Sequence, residues 1–336
     1  MSSSTDHRWG MKEESTFGVP VTVDRFYPWL EVSPEWDNRL RYAKGLASGG
    51  GRRSPLANRV VVPQGQGMVK VKAELESKQG GVLFRAACGV SSLNTITGGS
   101  QMVFHNKLTT GYMPSHTIQV VDVTNPGTDY VLTYAGCSAM KATIDQPEDE
   151  IPTIEVEFDA ISLSTATPAA TPSYSSTSTL FDASQVAAGI GGTFTAPTTT
   201  ALATGPTAVS WLREFKLDID QKLQVGGRVL GATRSRPIAG IPTITWEGVG
   251  EFNDTTMQAA YIAGTRLPFQ ATWTTGEALG PGFAQLQVGI PTMVLTAGMP
   301  KIKPGEVVTA DLKADVFNNG TDNDFYLTYR TADTAL

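Results

Sequence analysis

The chain has 336 residues, a formal net charge of −6 and a charged fraction of 17 %. That length accommodates two ordinary domains or one large one, no apolar run approaches a membrane span, and the N-terminus from Met1 to Arg8 lacks the apolar core of a signal peptide. With 34 Gly, 20 Pro and only two cysteines, the composition favours many short strands and turns over long helices. Cys88 and Cys137 are expected to stay reduced, in a protein made and folded in a cytosol.

Along the chain, the first fifteen residues are polar and read as a mobile or contact-forming arm. Residues 16–23 alternate loosely and predict a first strand. Phe26, Tyr27, Trp29 and Leu30 form an aromatic cluster ahead of a basic, glycine-rich loop over residues 37–67. An alternating strand follows at Val69, Val71, Ala73 and Leu75. Residues 77–88 read as a short helix. Strands are predicted at 116–123 and 130–134, joined by the Asn125-Pro126-Gly127 turn, with a further strand running past Gly136-Cys137 to Ile144. Residues 145–150 form an acidic turn, and 154–160 an alternating strand.

From 162 to 208 Thr, Ser, Ala, Pro and Gly dominate, with Asp182 the only charge. This segment reads as an interdomain linker or a long irregular excursion, anchored by Leu180-Phe181, Val186 and Phe194. Clean alternation returns at 211–220. A second basic, glycine-rich loop spans 222–240, followed by a strand through Ile244 and Trp246. A second short helix covers 253–263, with Asn253 or Asp254 as its cap. Strands at 267–274, 284–288, 308–314 and 325–330 complete the set.

The order basic loop, strand, short helix, closing strand thus occurs twice, and an internal repeat governs the fold assignment. The predicted units are 1–161 and 209–336, with 162–208 between them, and the architecture is a sandwich or barrel. Catalytic apparatus is not visible. His7, His105 and His116 are the only histidines, and no H-E-x-x-H, C-x-x-C, G-x-S-x-G or P-loop spacing occurs. The oxygen-rich runs 145–150 and 318–324 lack calcium-loop spacing and read as solvated turns. No cofactor, metal or enzymatic activity is expected. Tyr27, Trp29, Trp36, Trp246 and Trp273 offer sugar-stacking faces or core packing, so a carbohydrate-binding β-sandwich is one alternative.

The charges are segregated. Arg39, Arg41, Lys44, Arg52, Arg53 and Arg59 lie in the first loop, and Lys222, Arg228, Arg234 and Arg236 in the second. Alternation puts Ile154, Val156 and Phe158 on a buried face and Glu155, Glu157 and Asp159 on the opposite one. Asp218 and Asp220 stand in the same relation to their strand. This is either a solvated face beside flexible loops, or a set of basic loops that meet an acidic face of a neighbour, where complementary charge fixes register. Glycine-diluted arginines in an acidic protein argue against nucleic-acid binding.

The opening Glu13-Glu14-Ser15-Thr16-Phe17-Gly18-Val19-Pro20-Val21, the strand Val69-Lys70-Val71-Lys72-Ala73-Glu74-Leu75 leading to Cys88-Gly89, Tyr134-Ala135-Gly136-Cys137, and Gly289-Ile290-Pro291 with the strand that follows residue 305 resemble the tail tube (major tail) proteins of long-tailed bacteriophages. The resemblance implies a mainly β fold: duplicated β-sandwich or barrel domains, each with a short flanking helix, whose inner sheets join around a ring. It also implies rings stacked into a DNA conduit, long loops reaching the next ring, and, for a duplicated chain, a pseudo-hexameric trimer. The implied partners are further copies of the chain, the tape measure protein, and tail terminator and distal tail proteins. DNA would pass without specific binding. The implied location is the virion tail, assembled in the host cytoplasm and involving no membrane. On this reading the ten loop cations contact the next ring, and Glu155, Glu157, Asp159, Asp218 and Asp220 are candidates to face the lumen. Another virion β-protein, such as a capsid decoration or baseplate component, is the second alternative.

Overall fold

The computed structural model describes residues 7–42, 60–61, 65–125, 128–225, 227, 234–252, 255–302 and 307–336. In chain order the first half contains β1 (Arg8–Glu13), β2 (Arg25–Phe26), β3 (Glu31–Asp37), β4 (Arg41–Tyr42), β5 (Val60–Val61) and β6 (Gln66–Glu74). Helix α1 (Gly81–Cys88) follows, then β7 (Val90–Ile96), β8 (Gly99–His105), β9 (His116–Asn125), β10 (Thr128–Gln146) and β11 (Thr153–Ala160). The middle carries β12 (Ser162–Ser164), a single 3-10 turn at Ala183–Gln185, β13 (Val186–Thr195) and β14 (Thr204–Val209). The second half has β15 (Leu212–Asp220), β16 (Thr243–Glu251), α2 (Thr256–Ala263), β17 (Arg266–Leu279), β18 (Gly282–Ala297), β19 (Pro300–Lys301), β20 (Thr309–Val316) and β21 (Tyr326–Thr331). The fold is mainly β, as the composition predicts.

Period-two alternation decides which way each strand faces. On β6, Val69, Val71 and Ala73 are buried while Lys70, Lys72 and Glu74 stay partly accessible. On β15, Phe215, Leu217 and Ile219 are buried, and on β20, Ala310, Leu312 and Ala314. These strands lie side by side in a long antiparallel sheet of order β3-β6-β11-β10-β15-β16-β20-β18. β10 and β18 serve two layers. Their first halves pair with β9 and β12, and with β17 and β21; their second halves run in the long sheet. Between the layers lies one contiguous core in which Trp9, Phe158, Trp246, Phe269 and Trp273 are fully buried.

The repeat is explicit in the pairing. The order β3-β6-β11-β10 recurs as β15-β16-β20-β18. Helix α1 follows β6 as α2 follows β16, and each helix ends on a glycine with positive φ, Gly89 at 94° and Gly264 at 61°. The β10–β11 register shifts between Ala139 and Lys141, and the β18–β20 register between Leu295 and Ala297. These shared irregularities fix the correspondence residue by residue: Lys141 with Ala297, Asp220 with Asp37.

Three expectations need correction. The first strand is β1, not residues 16–23. Trp9 and Met11 are fully buried and anchor β1 along β9, so residues 8–13 are a paired strand rather than an arm. Residues 16–23 form no strand because their amides bond locally or to side chains: Val19 to the Thr16 carbonyl at 3.1 Å, Gly18 to Glu14 at 2.8 Å and Val21 to the Thr117 hydroxyl at 3.0 Å. The segment 162–208 is not irregular throughout, since β13 runs along β17 and Phe181 is fully buried, although Leu180 is exposed. The Asn253/Asp254 cap and residues 126–127 of the predicted turn lie outside the described residues; the residue preceding α2 is Thr255, whose side chain makes no capping bond.

One buried ring makes the fold acid-sensitive. His116, at the start of β9, is fully buried and edge-on to Phe158. Burial first, and then the positive charge of Arg85, push its pKa down to about 3. The unfolded chain binds this proton near the ordinary value of about 6.5, so it binds more protons than the folded chain between the two values. Stability is therefore full above about pH 6.5 and falls as the pH drops. We expect this residue to account for a loss of about 3 kcal/mol between pH 6.5 and pH 4. His116→Leu should reduce the shift of the urea midpoint over that interval; an unchanged shift would assign the acid sensitivity elsewhere.

Candidate functional site

The outward face of the long sheet is polar and its charges are uneven. Each strand contributes alternate residues to it: Glu31, Glu35 and Asp37 from β3, Glu155 and Glu157 from β11, Glu214, Asp218 and Asp220 from β15. Three of its lysines are held by neighbouring carboxylates. Lys70 meets Glu155 at 2.9 Å, Lys216 meets Asp218 at 3.0 Å, and Lys313 meets Glu247. The hydrogen bond to Glu155 raises the pKa of Lys70, so that lysine stays charged and its field is cancelled locally. Partial burial pulls Asp220 upward, but the Lys222 ammonium and amide outweigh it and leave its pKa below the usual carboxylate value. Burial raises the pKa of Asp145 on the same face. Lys72 and Lys141 lie on the same face outside these ion pairs, so its remainder is mixed, with carboxylates in excess.

The two basic loops leave the sheet through the same turn. Arg39 and Lys222 both have φ of 47°, and each amide donates to the aspartate two residues before it, Arg39 to Asp37 at 2.8 Å and Lys222 to Asp220 at 2.9 Å. A non-glycine residue in this conformation costs about 1–2 kcal/mol, and finding it twice at corresponding positions indicates a constraint on the turn. The Asp-x-Arg/Lys spacing was present in the sequence and marks the repeat more sharply than the loops do. Arg39, Arg41 and Lys222 are exposed at the loop roots, and β4 pairs with β5 across the base of the first loop. Lys44, Arg52, Arg53, Arg59 and Arg228 lie outside the described residues.

Arg234 and Arg236 make their contacts within their own chain. Arg234 forms an ion pair with Asp159 in which both side chains are fully buried, and it also donates to the Ala160 carbonyl at 3.2 Å. Gln66 donates to the other Asp159 oxygen at 2.8 Å. Arg236 donates to the Met113 carbonyl and lies over the rings of Phe17 and Tyr112, 5.4 and 5.1 Å from their centroids. The second half of the 222–240 loop is thus strapped across the first repeat of its own chain. The same contact corrects the expectation for Asp159. Alternation puts it on the polar face, but the strap covers it, whereas Glu155, Glu157, Asp218 and Asp220 remain partly accessible.

The repeats meet edge to edge. β15 pairs with the second half of β10, from Lys141 opposite Asp220 to Gln146 opposite Phe215. Gln221 seals the end of this junction. Its amide donates to the Met140 carbonyl at 2.9 Å and its side chain to the Ala87 carbonyl in the last turn of α1 at 3.0 Å. Among the described residues, the outer edge of β3 and the edge of residues 297–302 away from β20 carry no partner.

Among the described residues no cluster of His, Cys, Asp and Glu suits a metal ion. The 318–324 turn spends its side-chain oxygens on its own amides, Asn318 on Gly320 and Asn319 on Thr321. Tyr27, Trp246 and Trp273 are buried, and Trp29 and Trp36 are partly buried with one side packed against the core. In comparisons with known proteins, the family described as "Phage tail tube protein" matches residues 4–316. No curated protein matches the chain.

Proposed function

The chain belongs to the phage tail tube protein family, a structural component of the virion tail, and from that premise we propose that it closes into rings of three chains and six repeats, stacked into a conduit for DNA during ejection. The observation that carries this reading is the recurrence of β3-β6-β11-β10 as β15-β16-β20-β18 within one sheet. One chain supplies two equivalent wall segments already joined, so a sixfold wall needs three chains. A sheet with open ends invites pairing, and closure into a ring removes the ends.

On this reading the carboxylate-rich face lines the lumen. Duplex DNA is held by cations at its phosphates, and a wall on which carboxylates outnumber lysines repels phosphate and lets the duplex slide. The repeats correspond to residues 1–161 and 209–336, with 162–208 contributing to the second layer between them. Arg39, Arg41 and Lys222, together with Lys44, Arg52, Arg53, Arg59 and Arg228, are assigned to contacts between stacked rings. The tape measure protein, tail terminator and distal tail proteins are the assigned tail partners, with assembly in the host cytoplasm. Native mass measurement of an isolated ring tests the count. Three chains per ring are expected, and a six-chain ring would refute the pairing of repeats with wall segments.

A further inference from the structure

The junction inside the chain specifies the junction between chains. Resting on the ring reading above, we propose that the β3 edge of one copy pairs with the 297–302 edge of the next, in the register of the β10–β15 junction, with Asn38 taking the place of Gln221. The occupant of each open edge is a second copy of this chain, because each edge corresponds to one that is already filled inside it.

The correspondence is given by the pairings. β3 stands to β6 as β15 stands to β16, which places Asp37, Trp36, Glu35 and Val32 where Asp220, Ile219, Asp218 and Phe215 stand. Residues 297–301 run along β20 as residues 141–145 run along β11, with Ala297 opposite Lys313, Pro300 opposite Ala310 and Lys301 opposite Thr309. Transferring the β10–β15 register therefore sets Asp37 opposite Ala297, Trp36 opposite Gly298, Glu35 opposite Met299 and Val32 opposite Ile302. The largest side chain of β3 then meets a residue with none. Inside the chain the corresponding pair is Ile219 with Ala142, so volume is traded across the seam in a way that suits close packing.

Two further features agree. Exposed apolar side chains gather at the second edge: Met299 is 52 % exposed and Ile302 76 %, and Ile262 on the adjacent α2 is 72 %. The corresponding helix α1 is buried, with Ala87 and Cys88 in its last turn covered. A neighbour seated on this edge would cover what the free chain leaves open. Asn38 follows Asp37 as Gln221 follows Asp220. Its side-chain oxygen accepts from Trp36 at 2.8 Å, which leaves the amide nitrogen to donate toward the Ile262 carbonyl, the counterpart of Ala87. The same register sets Pro34 opposite Pro300, as Leu217 stands opposite Ile144; neither proline has an N–H to donate, so this pair adds no ladder bond and the seam is held by the pairs on either side of it.

The experiment uses Glu35→Cys with Met299→Cys in the full chain. Cys88 and Cys137 are buried and do not compete. Directly opposed strand residues lie within disulfide reach, whereas Glu35→Cys with Ile302→Cys is offset by about 10 Å along the strand. Oxidation of assembled rings should convert the first pair into covalent trimers, at least about tenfold more than the offset pair. Hydrogen exchange of the unmodified protein gives a second readout that needs no variant. Amides of 31–37 and 297–302 should gain protection on assembly. Closed rings in which the offset pair cross-links equally, or in which neither segment gains protection, would overturn this seam and leave the ring intact. A preparation that never exceeds monomer mass would overturn the ring reading and the seam with it.

Discussion

Asp159→Asn should destabilise the subunit by about 3–5 kcal/mol, the scale for removing one partner of a buried ion pair. The Arg234 guanidinium would be left uncompensated in a site where neither side chain touches water, and the Gln66 amide would lose a charged acceptor. Replacing both partners, as in Asp159→Leu with Arg234→Met, should recover most of that loss, because an apolar pair of similar volume is often as stable as the buried ions it replaces. The exposed pair Lys70–Glu155, with side chains 36 % and 26 % accessible, provides the contrast: Glu155→Gln should cost less than about 1 kcal/mol. Urea unfolding of dilute protein measures all three. A cost for Asp159→Asn similar to that for Glu155→Gln, or additivity in the double variant, would show that the pair is not acting as a buried unit.

This ion pair also marks the limit of what the sequence discloses. Alternation correctly assigns the inward residues of β6, β11, β15, β16 and β20, because a half-buried strand writes its facing directly into its composition. It assigns Asp159 to the polar face for the same reason. What buries Asp159 is a loop residue 75 positions away, and no local pattern reports that contact. β1 is hidden differently: Trp9 and Met11 flank Gly10, where a Cβ would lie 2.9 Å from the Phe26 ring, so a strand packed through a glycine reads as a polar arm. The duplication was visible as two basic loops, but the decisive signal is the Asp-x-Arg/Lys turn with its positive φ. The edge-to-edge joining of the repeats at β10 and β15 leaves no trace in the sequence, since either edge alone looks like any other strand.

The polar face of the long sheet carries the largest functional expectation. In the proposed ring, Glu155, Glu157 and Asp218 of every chain face the lumen, and reversing all three to lysine should turn a sliding surface into a binding one. Three chains would add about nine cations around a single duplex, and removing Glu155 and Asp218 would also release Lys70 and Lys216 from their ion pairs. A duplex that meets six to ten cations loses about 10³–10⁵ in affinity between 50 and 200 mM salt. Variant tubes should therefore retain duplex DNA in a nuclease-protected form at the lower salt and release it at the higher. Wild-type tubes should protect none at either. Nuclease protection separates DNA inside the tube from DNA on its exterior, and electron microscopy confirms that the variant still forms tubes. Intact variant tubes that protect no more DNA than wild type would place this face away from the lumen. Wild-type tubes that protect DNA at low salt would show that the wall attracts phosphate, and the sliding mechanism would fail.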